Sequence, residues 1–277
     1  MKIGKLKLKN RFFLAPMVEV NDIAFRLLCK KAGAALIWTG MINPLSKQIL
    51  FLEDNPALQL FTTNTKGISD FISKYEKKVS LFDFNLGCPA KTARKLGFGS
   101  FLHHDIKTIE KILKIMKNST DLPVTIKLRK SKNTLEIVKI ANKYCDAIAI
   151  HPRTQTQGYS GEPDIAFAKK VKSKTDLPVI YSGNVNIKNV NEFNDFDFLM
   201  IGRAAIGNPV IFSKLLGKNK KFTYKDWLKQ AKKYSLPFRQ YKFQAMWFTK
   251  RMIGGAKLRN ELARTKNLKE IKEIYSI

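Results

Sequence analysis

Eight short β-rich apolar runs, most of them followed by a longer amphipathic stretch, constrain this chain more than any other feature. The runs are Phe12–Ala15, Ala35–Thr39, Leu58–Phe61, Ser80–Asn85, Val124–Leu128, Ala147–His151, Val179–Ser182 and Phe198–Ile201. Helical periodicity fills Ala24–Lys31, Gly67–Lys77, Ile106–Asn118, Thr134–Tyr144, Ile165–Lys174 and Val190–Asn194. Strands alternating with helices imply a parallel sheet covered on its outer face, and about eight such units predict a closed (β/α)8 TIM barrel. Two near-identical passages from helix into strand, Asp121-Leu122-Pro123-Val124 and Asp176-Leu177-Pro178-Val179, strengthen the repeat. A doubly wound open sheet is the alternative. No Gly-x-Gly-x-x-Gly lies between an early strand and helix, which counts against a dinucleotide fold.

The pattern changes after Phe212. Strand signals vanish, and helical spacing takes over in Tyr224–Tyr234, Tyr241–Met252 and Lys257–Arg264. Residues 1–213 therefore read as the barrel, and residues 214–277 as a small all-α C-terminal domain. From Lys214 onward 18 Lys+Arg face 4 Asp+Glu, a net of +14 within a chain that carries +29 overall. A charge of that size repels itself in a compact state and calls for a polyanionic partner, nucleic acid before membrane. Nine aromatics, from Phe222 and Tyr224 to Trp247 and Phe248, are interleaved with the charge. Most are expected to form the small domain's own core; the exposed cations are expected to meet phosphate, with base stacking by any aromatic left free.

Three cysteines, at 29, 88 and 145, are odd in number and too scattered for a disulfide framework or a metal cluster. The chain reads as cytoplasmic. Its basic start leads only to a short apolar stretch, Phe12–Val18, interrupted by Pro16 and closed by Glu19, so neither secretion nor membrane insertion is expected.

Chemistry concentrates where strands end. Asn85-Leu86-Gly87-Cys88-Pro89, followed by Gly97-Phe98-Gly99-Ser100, places one thiol just past a buried strand, in a glycine-bearing loop. A thiol at that end of a parallel strand is a candidate for proton transfer or nucleophilic work, whereas most free cysteines simply pack. Other strand ends carry Pro16-Met17, Gln59, Lys127, His151 with Arg153, Ser182-Gly183-Asn184 and Gly202-Arg203. A lysine closing an apolar strand is costly without an anion, either a barrel carboxylate such as Asp83 or a ligand. Glycines and a cation after strands seven and eight suit a phosphate. Together these residues describe a planar, phosphorylated cofactor, and flavin mononucleotide (FMN) fits. His103 and His104 show no partner spacing and receive no role.

At these positions the chain resembles the tRNA-dihydrouridine synthases. The cysteine segment through Gly97-Phe-Gly-Ser-Phe-Leu102 is similar to that family's signature, and Leu14-Ala-Pro-Met17 with Asn21-Asp22 and Phe25-Arg26 is similar to its opening motif. The likeness continues through Val124–Lys127, His151–Thr154, Tyr159–Gly161 and Ile201–Pro209, and reaches Gly255–Arg259 in the tail. The resemblance implies an FMN barrel whose helical domain grips tRNA. NADPH would reduce the flavin, hydride would pass to C6 of a uridine, and Cys88 would protonate C5. Pro16, Met17, Gln59, Lys127, His151, Ser182, Gly183, Asn184, Gly202 and Arg203 would hold FMN; Asn85 and Arg153 would line the substrate pocket, and no metal or protein partner is implied. Glu19, Gly40 and Ser182-Gly183-Asn184 depart from the family pattern. Two rival readings are a flavin oxidoreductase acting on a free pyrimidine such as dihydroorotate, and a non-catalytic tRNA-binding barrel. The basic tail argues against the first, and the polar mouth against the second.

Overall fold

Residues 1–277 are described by a computed structural model. Eight parallel strands form the sheet: β1 (Phe12–Leu14), β2 (Leu36–Ile37), β3 (Ala57–Leu60), β4 (Leu81–Leu86), β5 (Val124–Arg129), β6 (Ala147–His151), β7 (Val179–Ser182) and β8 (Phe198–Ile201). Their order is β2-β1-β8-β7-β6-β5-β4-β3. The remaining gap, between β2 and β3, is spanned by two single parallel bridges, Trp38 to Ala57 and Ile42 to Leu60. The predicted barrel is therefore present, with one thin seam.

Alternate residues along the strands explain why the sheet curls. Phe13, Leu36, Trp38, Ala57, Leu81, Ala147, Ala149, Ile180, Phe198 and Met200 turn inward and pack as one buried cluster. Their neighbours in sequence, such as Leu14, Phe82, Phe84 and Ile126, belong to a larger cluster shared with the helices. A period of two with both faces apolar is what a strand buried on both sides requires. Ile3, fully buried, joins the inner cluster from a short antiparallel hairpin that pairs Lys2–Ile3 with Leu6–Lys7. It stoppers the N-terminal end of the barrel.

Helices α1 (Ile23–Ala32), α2 (Ile68–Tyr75), α3 (Lys91–Leu96), α4 (Ile106–Asn118), α5 (Thr134–Tyr144), α6 (Ile165–Lys172) and α7 (Ile211–Leu215) accompany the barrel. Asp22 caps α1 by accepting from the Phe25 N–H at 2.9 Å, and Gly33 ends it in the left-handed region with Lys30 and Lys31 in the last turn. The expected helix at Val190–Asn194 is a single 3-10 turn, Val190–Phe193. Between β2 and β3 no helix forms: residues 43–56 are irregular.

Four further helices complete the chain: α8 (Tyr224–Lys233), α9 (Phe238–Phe248), α10 (Gly255–Arg264) and α11 (Leu268–Tyr275). Helix α9 starts three residues before the expected Tyr241, directly after Pro237, which occupies the N-cap position. Helix α11 was not expected. These helices share the barrel's outer apolar core, and Asp22 links two of them to α1. The Asp22 carboxylate accepts from Trp227 Nε1 of α8 (3.0 Å) and from Gln244 Nε2 of α9 (2.6 Å), besides capping α1. Gly207, with φ of +63°, lies against the Trp247 carbonyl, where any Cβ would overlap backbone.

Candidate active site at the barrel mouth

Cys88 is held through its own N–H and carbonyl. Its N–H donates to Asn85 Oδ1 (3.0 Å), and its carbonyl accepts from the Ser100 N–H (3.2 Å) and from Ser100 Oγ (2.9 Å). Gly99, at φ +66°, closes the cradle: a Cβ there would lie 2.8 Å from the Cys88 carbonyl oxygen. The thiol residue itself is half-buried, whereas Cys29 and Cys145 are buried. Burial pushes both of those thiols up, so they remain protonated packing groups.

Beneath the cysteine loop runs a chain of buried amides and a carboxylate. Thr125 Oγ1 donates to Asp83 Oδ1 (2.6 Å) and Gln59 Nε2 to Asp83 Oδ2 (2.7 Å). Asn85 Nδ2 then donates to Gln59 Oε1 (2.7 Å), and Asn85 Oδ1 also accepts from the Gly87 N–H (3.2 Å). Burial raises the pKa of Asp83, opposed by the hydrogen bonds from Thr125 and Gln59 and by the Lys127 cation. The network connects β3, β4 and β5 and fixes the direction in which the chain leaves β4.

Lys127 forms no ion pair. Asp83, its nearest carboxylate in the barrel, is already engaged. Burial, with Arg129 adding repulsion, depresses the Lys127 pKa to about 8. A desolvated ammonium without a carboxylate partner is costly to the fold.

His151 ends β6, buried. Burial, reinforced by the cations Lys127, Arg129, Arg153 and Arg203, keeps its pKa far below the usual histidine range. The ring is neutral. Arg153 Nη1 donates to its Nε2 (2.9 Å), which places the ring proton on Nδ1. Arg153 is itself buried, and its other donors reach the Ser160 carbonyl (3.1 Å) and the Gly161 carbonyl (2.6 Å and 3.2 Å). Its guanidinium shapes the loop after β6.

At the ends of β7 and β8, Arg203 Nη2 donates to Asn184 Oδ1 (2.6 Å), and Asn184 adopts a left-handed φ of +53°. Gly202 lies beside Ala15 and Met17 Sδ, so β8 and β1 meet closely at the mouth. Ser182 and Gly183 are buried between them and Pro163. Tyr159, exposed, has Arg129 on one side and Arg203 on the other, 5.3 Å and 5.4 Å from its ring centre.

Two residues that sequence reasoning passed over belong here. His103, buried, donates from Nε2 to the Leu86 carbonyl (2.6 Å), and its Nδ1 accepts from Ser131 Oγ (2.7 Å). Burial lowers its pKa to about 4, so it is a neutral strap between the cysteine loop and the β5–α5 loop. Arg129 donates from Nε to the Gly87 carbonyl (2.8 Å) and from Nη1 to the Thr154 carbonyl (2.9 Å). It joins the cysteine loop to the loop after β6. Arg129 was findable, since it lies two residues beyond Lys127 and faces the same way.

A family model described as dihydrouridine synthase matches residues 13–276. The chain belongs to the dihydrouridine synthase family. Among relatives, tRNA-dihydrouridine synthase B of Vibrio parahaemolyticus is 36% identical over 237 residues, covering 78% of this chain and 74% of that one. The Escherichia coli K12 protein of the same name is 32% identical over the same length. Among solved structures, histamine dehydrogenase from Rhizobium sp. 4-9 superposes with a TM-score of 0.61 at 12% identity, over 78% of this chain and 47% of that one. A mutant of morphinone reductase in complex with tetrahydroNAD follows at 0.55 and 11%, over 82% and 92%. At such low identity these neighbours share the barrel, which by itself names no reaction.

Proposed function

We propose that this protein reduces a specific uridine of tRNA to 5,6-dihydrouridine, with FMN at the barrel mouth and NADPH as the reductant. One observation carries the reading: a half-buried thiol is held at a strand end beside an unpaired lysine, in a chain of this family. The mouth suits FMN on its own geometry. Lys127 lacks a counter-ion, and His151 keeps an Nδ1–H to give. Gln59, Pro16 and Met17 border the same space, and Ser182, Gly183, Asn184 and Arg203 would take the phosphate. FMN, when bound, supplies hydride chemistry.

The chain's residues do the rest. Cys88 donates a proton from Sγ to C5 of the uracil, while Asn85 keeps the loop, and hence the thiol, at a fixed height above β4. Lys127 offsets negative charge on the ligand. Arg153 and Arg129 hold the loop after β6 closed over the site. Residues 214–277, packed against the barrel, grip the tRNA. Of their 18 cations only Arg239 is ion-paired, to Glu19 at 3.5 Å, so the others can take phosphates. Stacking by the tail aromatics finds no support, because all nine are buried or half-buried within the helices' own packing. No helix is long and apolar enough to cross a membrane, and a tRNA substrate places the enzyme in the cytoplasm.

The visible spectrum of the purified protein tests this. Flavin absorption bleached by NADPH and restored by unmodified tRNA is the expected result. A flavin that tRNA cannot reoxidise points instead to a small pyrimidine, and a protein that FMN cannot colour ends the enzyme reading.

A further inference from the structure

A cavity of about 420 Å³ lies between the barrel mouth and the helical domain, outside the residues assigned above except for Met17 at its edge. The segment Met17–Ile23 forms one side, the helix-free stretch between β2 and β3 another, and Leu236, Pro237 and Gln240 at the α8–α9 turn the third. Met41, Ile42, Phe51, Leu52 and Leu236 make its walls apolar.

Its polar groups are one-sided. Asn21 is only 5% exposed; its Nδ2 donates to the Ala15 and Trp38 carbonyls (2.8 Å and 2.7 Å), which leaves Oδ1 buried without a partner. Gln240 Oε1 is likewise buried and without a donor. Arg26, the one cation of the lining, is already engaged. Arg26 reaches Asp54 through Nε and Nη2 (2.7 Å and 2.9 Å), the Asn21 carbonyl through Nη1 and the Phe51 carbonyl through Nη2. Two buried acceptors without donors are costly to leave so, and they select a ligand that brings N–H groups on an apolar body.

We propose that this cavity receives the nucleobase adjacent to the target uridine, an amino-bearing base that donates to Asn21 Oδ1 and Gln240 Oε1. The inference rests on the tRNA reading above. Position argues for a base over a free metabolite: Met17 links the cavity to the mouth, and the basic helices border its other side. A uridine drawn out of a folded RNA unstacks its neighbours, and an unstacked base needs an apolar surface.

Filter binding with ligated tRNAs tests it, each altered at one nucleotide flanking the reduced uridine: guanosine to inosine, adenosine to purine riboside, cytidine to uridine. At one flanking position, losing the amino group is expected to weaken binding about three- to tenfold, the scale of a neutral hydrogen bond. Gln240→Leu, at a half-exposed position, is expected to lose affinity for the amino-bearing tRNA by that factor and to bind both forms alike. Equal binding of all flanking variants by the unaltered protein overturns the proposal, as does discrimination that survives in Gln240→Leu. If no tRNA reoxidises the reduced flavin, the underlying reading fails first, and the pocket assignment falls with it.

Discussion

The two ends of the barrel are built from the same strands and the same inward-facing positions, yet they have opposite characters. At the N-terminal end Phe13, Leu36, Ala57, Leu81, Ala147 and Phe198 meet the stopper Ile3, and Phe13 stacks on Phe198 with ring centres 4.8 Å apart. Two to four residues further along each strand, the inward positions are Gln59, Asp83, Asn85, Lys127 and His151. One end is a packed apolar core. The other holds an unpaired cation and a thiol in a glycine cradle. Stability is stored at the first end, and the second can be partly unsatisfied because the first is not.

Substitutions can break or sharpen that contrast. The largest effect is expected for Cys88→Ala, where loss of the general acid should slow tRNA-dependent reoxidation of the flavin by about 10²–10⁴-fold while leaving its reduction by NADPH unchanged. Stopped-flow absorbance separates the two half-reactions; equal reoxidation rates would remove Cys88 from the chemistry. At the opposite end Phe13→Ala should cost about 3–5 kcal/mol in denaturant unfolding, with reoxidation per folded molecule preserved. A loss of chemistry matching the loss of stability would erase the distinction between the ends.

Lys127→Met should weaken FMN binding by about 10- to 100-fold, the scale of a charge-assisted hydrogen bond, while raising the stability of the flavin-free protein. The pH dependence has a definite sign. The folded pKa is near 8, below the ordinary 10.5, so between those values the unfolded chain binds more protons and stability rises with pH. Flavin-free protein should therefore gain stability from pH 8 to 10, and Lys127→Met should lose that gain; identical melting curves for the two across the range would show that the lysine is not under strain. The smallest effect is expected for His103→Leu. It removes the strap under the cysteine loop, and should lower turnover about three- to tenfold with flavin affinity unaltered. A variant with normal turnover would make His103 a packing residue only.

Much of the contrast was legible beforehand. Short β-rich apolar runs exposed seven strands to within one residue, and polar residues at strand ends marked the mouth. The second strand was overestimated: Ala35–Thr39 reduces to Leu36–Ile37 plus a bridge, because the chain turns away at Gly40 to line the cavity below the helical domain. Helix α11 was missed although its signals were present. Asn267 caps it, accepting from the Glu270 N–H, and Leu268, Ile271, Ile274 and Tyr275 share one face. His103 left no local signal, since its partners are the Leu86 carbonyl and Ser131, 17 and 28 residues away.

Local order along the chain determined the barrel, the basic helical tail and the position of one reactive thiol, because strand period, net charge and glycine placement act over a few residues. Contacts between distant segments decided the rest. Only the fold could show that Asp22 joins three helices, that Arg153 is consumed by its own loop, that Lys127 has no counter-ion, and that Asn21 and Gln240, which line one cavity, each keep a buried acceptor without a donor. Each is a question of which donor meets which acceptor, and that pairing exists only once the chain has closed on itself.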